Sequence, residues 1–497
     1  MSGFAEFRTR LEGWLSTRWA ATLLLVLLGG WYAWAYARHP LNPGRAPVEQ
    51  RTGWWSWSDQ YKYLQATEAM RSGKITRESY QYPLGYPALG VPFVRGWPAH
   101  AYFVPDLALV LAAAAVWWRL ARRWLPATIT LLVAVTFILM HRDLIGLTMI
   151  VPWNTLATQL TLLAGLWVMV AVTGPRAVLA LAGLAAATWL VRPIDAVSFA
   201  PMLVWSVLRL PAWRQRIGWG AAGLGVLGVA LALVGGLNVA VFGTWRSPYE
   251  QAAFNMVGFF DYPVAQKLFW TFVDARPFFG ETDTALLGRY PWLLLAIPGI
   301  FFWVKREGAA GAAAVATLLL NWLLYLGYND FFPSSFYRFS LIHYVSWSFL
   351  PLFAAGAGAC WAGWKLRPVQ LGAAVALGVF VLACGLQLEK RALPAPTAPG
   401  AVLMLPVTRP LWVRFPGGSL EQVGQLRLDG RAMIEAADYQ IPYVPSDLQL
   451  LLGAHAKGTV LGIPAAAGSI AAPQVGDYRW AWRWDAARWR RQLSGGG

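Results

Sequence analysis

Charge is what this sequence has least of. Only 13% of its 497 residues are Asp, Glu, Lys or Arg, against roughly 25% in an ordinary soluble domain. That composition excludes a common soluble enzyme, and a hydrophobic share of 57% excludes a disordered chain. Cysteine is nearly missing. Cys360 and Cys384 both lie in apolar runs, so neither a disulfide framework nor a cysteine metal site is implied. Histidine is scarce, and His39, His100, His141, His343 and His455 show no metal-ligand spacing. No phosphate-binding glycine loop, dinucleotide fingerprint or nucleophile elbow is present, so direct nucleotide use is unsupported. No internal repeat shows, which weakens a carrier built from inverted repeats.

What is there is apolar. Mean hydropathy is +0.44, and the apolar residues fall in runs near the length of about 20 that crosses a bilayer as a helix. The expected fold is an all-α polytopic membrane protein with eleven spans: 19–37, 101–121, 125–140, 154–173, 176–191, 196–210, 217–242, 290–304, 308–327, 341–363 and 368–388. The third, fifth, sixth and eighth of these are short. Ala35-Tyr36-Ala37 resembles a signal-peptidase site, but the run before it is long and holds Trp19, Trp31 and Trp34, so it reads as the first span.

Acid is the scarcer sign. There are 24 Asp and Glu against 41 Lys and Arg, a net charge of +17. In a soluble protein this would suggest nucleic acid. Here the excess sits in short loops, where it sets topology and meets anionic lipid, so no nucleic-acid partner is expected. Arg8, Arg10 and Arg18 precede the first span. Arg119, Arg122, Arg123, Arg176, Arg209, Arg214, Arg216, Lys305, Arg306, Lys365 and Arg367 follow the even-numbered ones. These loops are assigned to the cytoplasm. The long segments 38–100, 243–289 and 389–497 then face the periplasm, which implies a multi-pass protein of a bacterial inner membrane. A domain boundary is placed near Glu389–Pro399, dividing a membrane domain, 1–388, from a C-terminal periplasmic domain, 389–497. Alternating runs at Pro410–Phe415 and Leu420–Leu428 predict a small α/β or mostly β fold there. The tail Tyr478–Arg491 alternates Trp with Arg and reads as an interfacial anchor.

The first outer loop carries the most chemistry. Trp54-Trp55-Ser56-Trp57-Ser58-Asp59-Gln60-Tyr61-Lys62-Tyr63 places one acid among tryptophans. Ser58 is a candidate cap for a helix starting near Asp59. Asp59 and Lys62 would share a face. Tyr63, Ala66 and Met70 would form an apolar stripe, as on an amphipathic helix at the membrane interface. One reading is an aromatic belt with a surface ion pair. The other is a general base with a cation beside it to hold a phosphate. The short outer loops pair acid with arginine, in Arg142 with Asp143, Arg192 with Asp195, and Asp330 with Arg338. The inner loops show no such pairing. Three pairs on one side suggest a polar cavity opening outward, with arginines able to grip phosphate and His141 and His343 as further candidates.

At this point the loop resembles the GT-C superfamily of integral-membrane glycosyltransferases, in its protein O-mannosyltransferase and lipid A aminoarabinose transferase branch. Asp59-Gln60-Tyr61-Lys62-Tyr63 is similar to that branch's acidic Asp-Glu-x-Arg-Tyr pattern. Ala69-Met70-Arg71-Ser72-Gly73 resembles its Met-x-x-Gly turn, and Tyr82-Pro83-Leu84-Gly85-Tyr86-Pro87 its Tyr-Pro-Pro-Gly-Tyr-Pro segment. Val191-Arg192-Pro193, Phe242-Gly243-Thr244-Trp245, Tyr290-Pro291-Trp292, Pro298-Gly299 and Arg338 agree more weakly. The resemblance implies a GT-C-like fold over 1–388, Asp59 as catalytic base, and Lys62 as phosphate-binding cation. It implies a polyprenyl-phosphate sugar donor and a glycan, lipid or protein acceptor. Gln60 stands where the family has its second acid, which puts a second-carboxylate or metal role in doubt. No cofactor is assigned, and a divalent cation stays open. Arg142, Arg192 and Arg338 are candidates for the departing phosphate, Asp143 and Asp195 for a second acid, and Trp57, Tyr82 and Tyr86 for stacking on sugar or lipid. The alternatives are a carrier of lipid-linked sugar or lipid without bond cleavage, and a scaffold subunit of an envelope complex.

Overall fold

A computed structural model describes residues 2–251, 259, 264–273, 285–328, 331 and 341–362. Of the C-terminal part it describes 386–393, 402–407, 411–416, 424–433, 439–440, 447–452, 459–464 and 473–482. The chain divides into two compact units. One comprises Met1–Glu250, Leu295–Trp322 and His343–Ala373; the other comprises Gln251–Leu294, Leu323–Ile342 and Ala374–Gly497.

The first unit is helical. It begins with α1 (Ser2–Leu15), α2 (Arg18–Ala37), α3 (Ser58–Ser72), α4 (Gly85–Val94), α5 (Phe103–Ala121) and α6 (Ala127–Met140). Then come α7 (Arg142–Ile145), α8 (Thr155–Ala171), α9 (Pro175–Val191), α10 (Pro193–Ala196), α11 (Ala200–Leu208), α12 (Trp213–Phe242) and α13 (Pro248–Gln251). Helices α14 (Val264–Phe272) and α15 (Leu286–Arg289) belong to the second unit; α16 (Leu293–Glu307), α17 (Ala309–Gly327) and α18 (Phe349–Trp361) belong chiefly to the first. The first ten expected spans each fall on helix. Among the described residues four segments are long and apolar enough to cross a bilayer: Arg18–Ala37, Pro98–Ala121, Trp213–Phe242 and Ala309–Gly327. The helices between them are shorter.

Burial is one-sided on the long apolar helices. On α2, Tyr32 and Tyr36 are buried while Trp19, Val26 and Leu27 are exposed. On α12, Leu224 and Leu233 stand exposed, and Gly223 and Asn238 face inward. Helix α8 is the central one. Leu156, Leu162, Leu163, Leu166 and Met169 are all buried, and the helix packs against α5, α9 and α11.

The basic loop after α5 corrects one sequence expectation. Its Arg122 and Arg123 have no acid beside them in sequence, yet both are paired through space. Glu12 of α1 accepts hydrogen bonds from the backbone N–H of Ala127 at 2.6 Å and of Thr128 at 2.9 Å. Arg122 donates to it at 2.8 Å. Helix α6 has no side-chain cap of its own, so a carboxylate from another helix satisfies its first N–H groups. Arg123 likewise donates to both oxygens of Glu307, at 3.1 and 2.9 Å. Burial would raise the Glu12 carboxyl from its ordinary 4.5, but the N–H groups of Thr128 and Ala127 and the Arg122 guanidinium outweigh it and bring the value down to about 2. A carboxyl depressed on folding stabilises most above its ordinary value and loses that contribution as pH falls toward the folded one. Glu12→Gln is therefore expected to lower the melting temperature of the detergent-solubilised protein at pH 7, with the gap to wild type narrowing as pH drops from about 4.5 toward 2. Melting curves across that range check it; a gap constant with pH would sink it.

The described C-terminal residues are all strand and turn. The strands are β1 (Leu386–Ala392), β2 (Val402–Pro406), β3 (Leu411–Pro416), β4 (Arg427–Leu428), β5 (Arg431–Ala432), β6 (Tyr439–Gln440), β7 (Asp447–Leu452), β8 (Val460–Pro464) and β9 (Gln474–Trp482). They form two antiparallel sheets, ordered β1-β9-β3-β7-β6 and β2-β8-β4-β5. Leu411, Val413, Phe415, Leu450, Leu461, Ile463 and Val475 make their core, with Arg414 pointing out between two of them. Arg391 lies opposite Asp477 across β1 and β9 and donates to both its oxygens, at 2.9 and 2.7 Å. The expected run at Pro410–Phe415 is thus β3. The eleventh expected span does not hold to its end, because 386–388 pair with β9 as strand; residues 368–385 lie outside the described residues. The Trp/Arg tail is described only to Trp482.

Candidate functional site

The site is built from the segment between α2 and α5. Trp54 and Trp55 are buried, and the Trp55 indole N–H donates to the Ala99 carbonyl at 3.1 Å. Trp57 then runs extended (φ −79°, ψ 137°) and takes the N-cap position of α3, without a side-chain cap bond. Helix α3 therefore starts on Ser58 itself; Ser58 is not its cap. Asp59 lies in the first turn, where a carboxylate meets the positive end of the helix. The far end is as the turn motif predicts. Gly73 takes φ 67°, and the Lys74 N–H closes back on the Ala69 carbonyl at 2.9 Å.

The apolar stripe of α3 faces protein, not lipid. Tyr63, Leu64, Ala66 and Ala69 are buried, and α3 packs on α4. The Thr67 hydroxyl lies 2.6 Å from the Tyr102 hydroxyl and 2.9 Å from the Pro87 carbonyl oxygen. This internal seam leaves Asp59 and Lys62 on a more open side of the helix. Both reach Tyr82. Its hydroxyl donates to Asp59 Oδ1 at 2.6 Å, and Lys62 Nζ lies 5.7 Å from its ring centroid. Among the described residues Asp59 and Lys62 form no ion pair with each other. Tyr63 and Tyr249 place their ring centroids 5.3 and 5.1 Å from that of Tyr82. Burial, then the Asp59 charge, push the Tyr82 hydroxyl far above the ordinary phenol range. It stays protonated, so Tyr82 is the donor and Asp59 the acceptor. Burial and Asp59 likewise raise Tyr63, while the Arg192 charge opposes them.

Arg192 stands where α9 ends. Gly85, at the head of α4, lets that end approach: a Cβ there would fall 2.5 Å from the Leu190 carbonyl oxygen. Any larger residue would push the two helices apart. Arg192 is extended (φ −152°, ψ 96°) and only 4% exposed. Its Nη2 donates to Asn154 Oδ1 and, at 3.0 Å, to Thr155 Oγ1. Its Nη1 lies 3.6 Å from Asp195 Oδ2, and its guanidinium carbon 5.1 Å from the Tyr344 ring centroid. Asp195 accepts from Asn321 Nδ2 at 3.1 Å, and Asn321 Oδ1 accepts from the Trp347 indole at 2.9 Å. An aromatic series links this group to the loop before α3. Trp57 lies 6.3 Å from Trp153, Trp153 stacks on His343 at 4.2 Å, and His343 adjoins Tyr344.

The expected residues separate into those the fold gathers and those it does not. Asp59, Lys62, Tyr82 and Trp57 are gathered, and Arg192 joins them through the aromatic series. Asp195 is wholly buried beside Arg192, as an ion-pair partner and not as a second acid next to Asp59. Tyr86 is wholly buried as well. Its hydroxyl bonds Asp106 at 3.0 and 3.1 Å, and its ring stacks on Tyr102 at 4.7 Å. It is a core residue, with no face left for a sugar. Arg142 is exposed on α7, outside this set of contacts. His141 is buried, with Nδ1 2.8 Å from the Phe137 carbonyl oxygen one turn back and its ring stacked on Phe137. The Asp143 side chain, Asp330 and Arg338 lie outside the described residues. Sequence reasoning missed Asp106, Asn154 and Asn321. Each was visible as a polar residue within or beside an apolar run.

Among the described residues no three His, Cys, Asp or Glu side chains cluster as they would around a metal ion. Beside Lys62 and Tyr82, among the described residues, a divalent cation would find the single carboxylate of Asp59. Compared with known family models, curated proteins and solved structures, the chain matches none.

Proposed function

We propose that this protein is a membrane glycosyltransferase that moves a sugar from a polyprenyl-phosphate donor to an acceptor hydroxyl on the outer side of a bacterial inner membrane. The observation that carries the reading is Asp59. It is a half-buried carboxylate at a helix start, held by the Tyr82 hydroxyl at 2.6 Å, with Lys62 over the same ring and aromatic side chains around it. A multi-pass topology with a cytoplasmic N-terminus belongs to the same proposal. Its support is the set of long, outward-apolar helices and the basic residues that follow alternate apolar runs.

In this reading Asp59 takes the proton of the acceptor hydroxyl. The hydroxyl oxygen bonds to the anomeric carbon as the carbon–oxygen bond to phosphate breaks, in one displacement with inversion. The bonding pair leaves on the phosphate oxygen. Lys62 is the cation placed to receive that charge first, with Arg192 contributing field from its buried position. A lipid-borne donor fits the absence of any nucleotide motif. The acceptor is a glycan, lipid or protein bearing a free hydroxyl.

The test is sugar release in lipid nanodiscs from a panel of radiolabelled polyprenyl-phosphate sugars. Release from one donor supports the reading. Binding without release, with every class of acceptor supplied, would favour a carrier. Tyr82→Phe removes the O–H that orients Asp59 and keeps the ring under Lys62. It is expected to lower the rate of transfer about tenfold, the worth of one hydrogen bond to a charged group, with little change in KM. A variant as fast as wild type would remove Tyr82 from the site.

A further inference from the structure

Asp59 does not line the cavity that the structure shows. This cavity has a volume of ≈ 680 Å³ and opens between the outer end of α2, the loop that follows, and the start of α5. That size is typical of ligand pockets. Ala33, Ala37, Val48, Trp97, Pro98 and Phe103 form its apolar wall. Two of its sides are the ends of segments long enough to cross a bilayer, so its mouth sits where such a helix meets the headgroup layer.

The cavity is braced before anything enters it. The Tyr36 hydroxyl lies 2.9 Å from His100 Nδ1, and His100 Nε2 lies 2.8 Å from the Gly44 carbonyl oxygen. Asn42 donates from Nδ2 to the Tyr36 carbonyl at 2.7 Å and accepts from the Gly44 N–H at 2.8 Å. Trp54 packs on this brace, with its ring centroid 5.1 Å from that of Tyr36.

Two opposite charges stand on the rim. Arg45 and Glu49 both line the cavity, and both are exposed. Among the described residues neither side chain has a hydrogen-bond or ion-pair partner. An apolar cleft at the headgroup layer with one free cation and one free anion complements a lipid that carries both signs. A purely anionic headgroup would meet Arg45 and be repelled by Glu49. A trimethylated amine would meet Glu49 with no N–H to donate. We propose that this cavity binds a zwitterionic phospholipid with a primary amine, its acyl chain in the apolar cleft, its phosphate on Arg45 and its ammonium on Glu49. The occupant braces the Tyr36–Trp54 contact behind the loop that leads to α3. This binding does not depend on the transferase reading.

The test titrates delipidated full-length protein, in a non-ionic detergent, with phosphatidylethanolamine, phosphatidylcholine and phosphatidylglycerol of identical acyl chains. Bound lipid is counted by native mass spectrometry. Phosphatidylethanolamine is expected to bind about tenfold more tightly than the other two, the worth of one exposed charge-assisted hydrogen bond. Glu49→Gln should erase its advantage over phosphatidylcholine, and Arg45→Ala should weaken all three. Ala37→Phe places a ring in the cleft and should abolish binding of each lipid. Equal binding of the three headgroups by wild type, a preference that survives Glu49→Gln, or full binding by a normally melting Ala37→Phe protein would each overturn the proposal. Glu49 is exposed and unpartnered, so its substitution decides the matter even if Ala37→Phe fails to fold.

Discussion

Asp59→Asn is expected to reduce sugar transfer by about 10³-fold, within the range that a positioned general base contributes. The substitution is nearly isosteric. An amide oxygen can still accept from Tyr82, so the Tyr82 ring and Lys62 keep their places. What is lost is the capacity to take a proton from the acceptor hydroxyl. In the proposed reading the donor is held by Lys62 and the aromatic side chains, so its affinity should change by no more than a few-fold. Both quantities can be read in nanodiscs, by release of labelled sugar and by equilibrium binding of the labelled donor. Loss of release with binding intact supports Asp59 as base. Unchanged release removes Asp59 from the chemistry. Loss of binding together with release would instead make Asp59 part of the donor site.

Arg192→Ala is expected to destabilise the protein by about 3–5 kcal/mol, the cost of leaving a buried charge without its partner. Arg192 is 4% exposed and Asp195 is wholly buried, so neither can turn to water when the other is removed. Asn154 and Thr155 would lose their donor in the same step. Arg192→Lys keeps the charge and loses the planar fork that reaches these groups together, so its loss should be intermediate. A double substitution of Arg192→Ala with Asp195→Asn should cost less than the sum of the singles, because it removes the orphaned charge. Chemical denaturation of wild type, the three single variants and the double variant gives the comparison. Additive losses would mean that the pair at 3.6 Å contributes nothing.

These two substitutions also separate roles that the sequence presents alike. Asp59 and Asp195 are both acids near a cation three residues away, Lys62 and Arg192. In the fold one is half-buried beside an aromatic ring, and the other is sealed inside a hydrogen-bonded network. Tyr82 and Tyr86 come from one short motif and are four residues apart. One turns to Asp59, the other to Asp106. No local pattern distinguishes them, because the difference lies in which neighbouring helix each ring meets.

What the sequence determined by itself is local. Apolar runs set where the helices lie, since about 20 apolar residues have no better place than a lipid-facing or core-facing helix. Gly73 set where α3 ends, because the left-handed turn there suits a residue without a Cβ. Alternation at Pro410–Phe415 set a strand. What only the tertiary structure decided is pairing. Glu12 finds Arg122 110 residues away, Arg192 finds Asn154 38 residues away, and Asp59 finds Tyr82 23 residues away. Such partners depend on how whole helices rotate and cross, and that follows from the summed packing of many side chains, not from the spacing of any two.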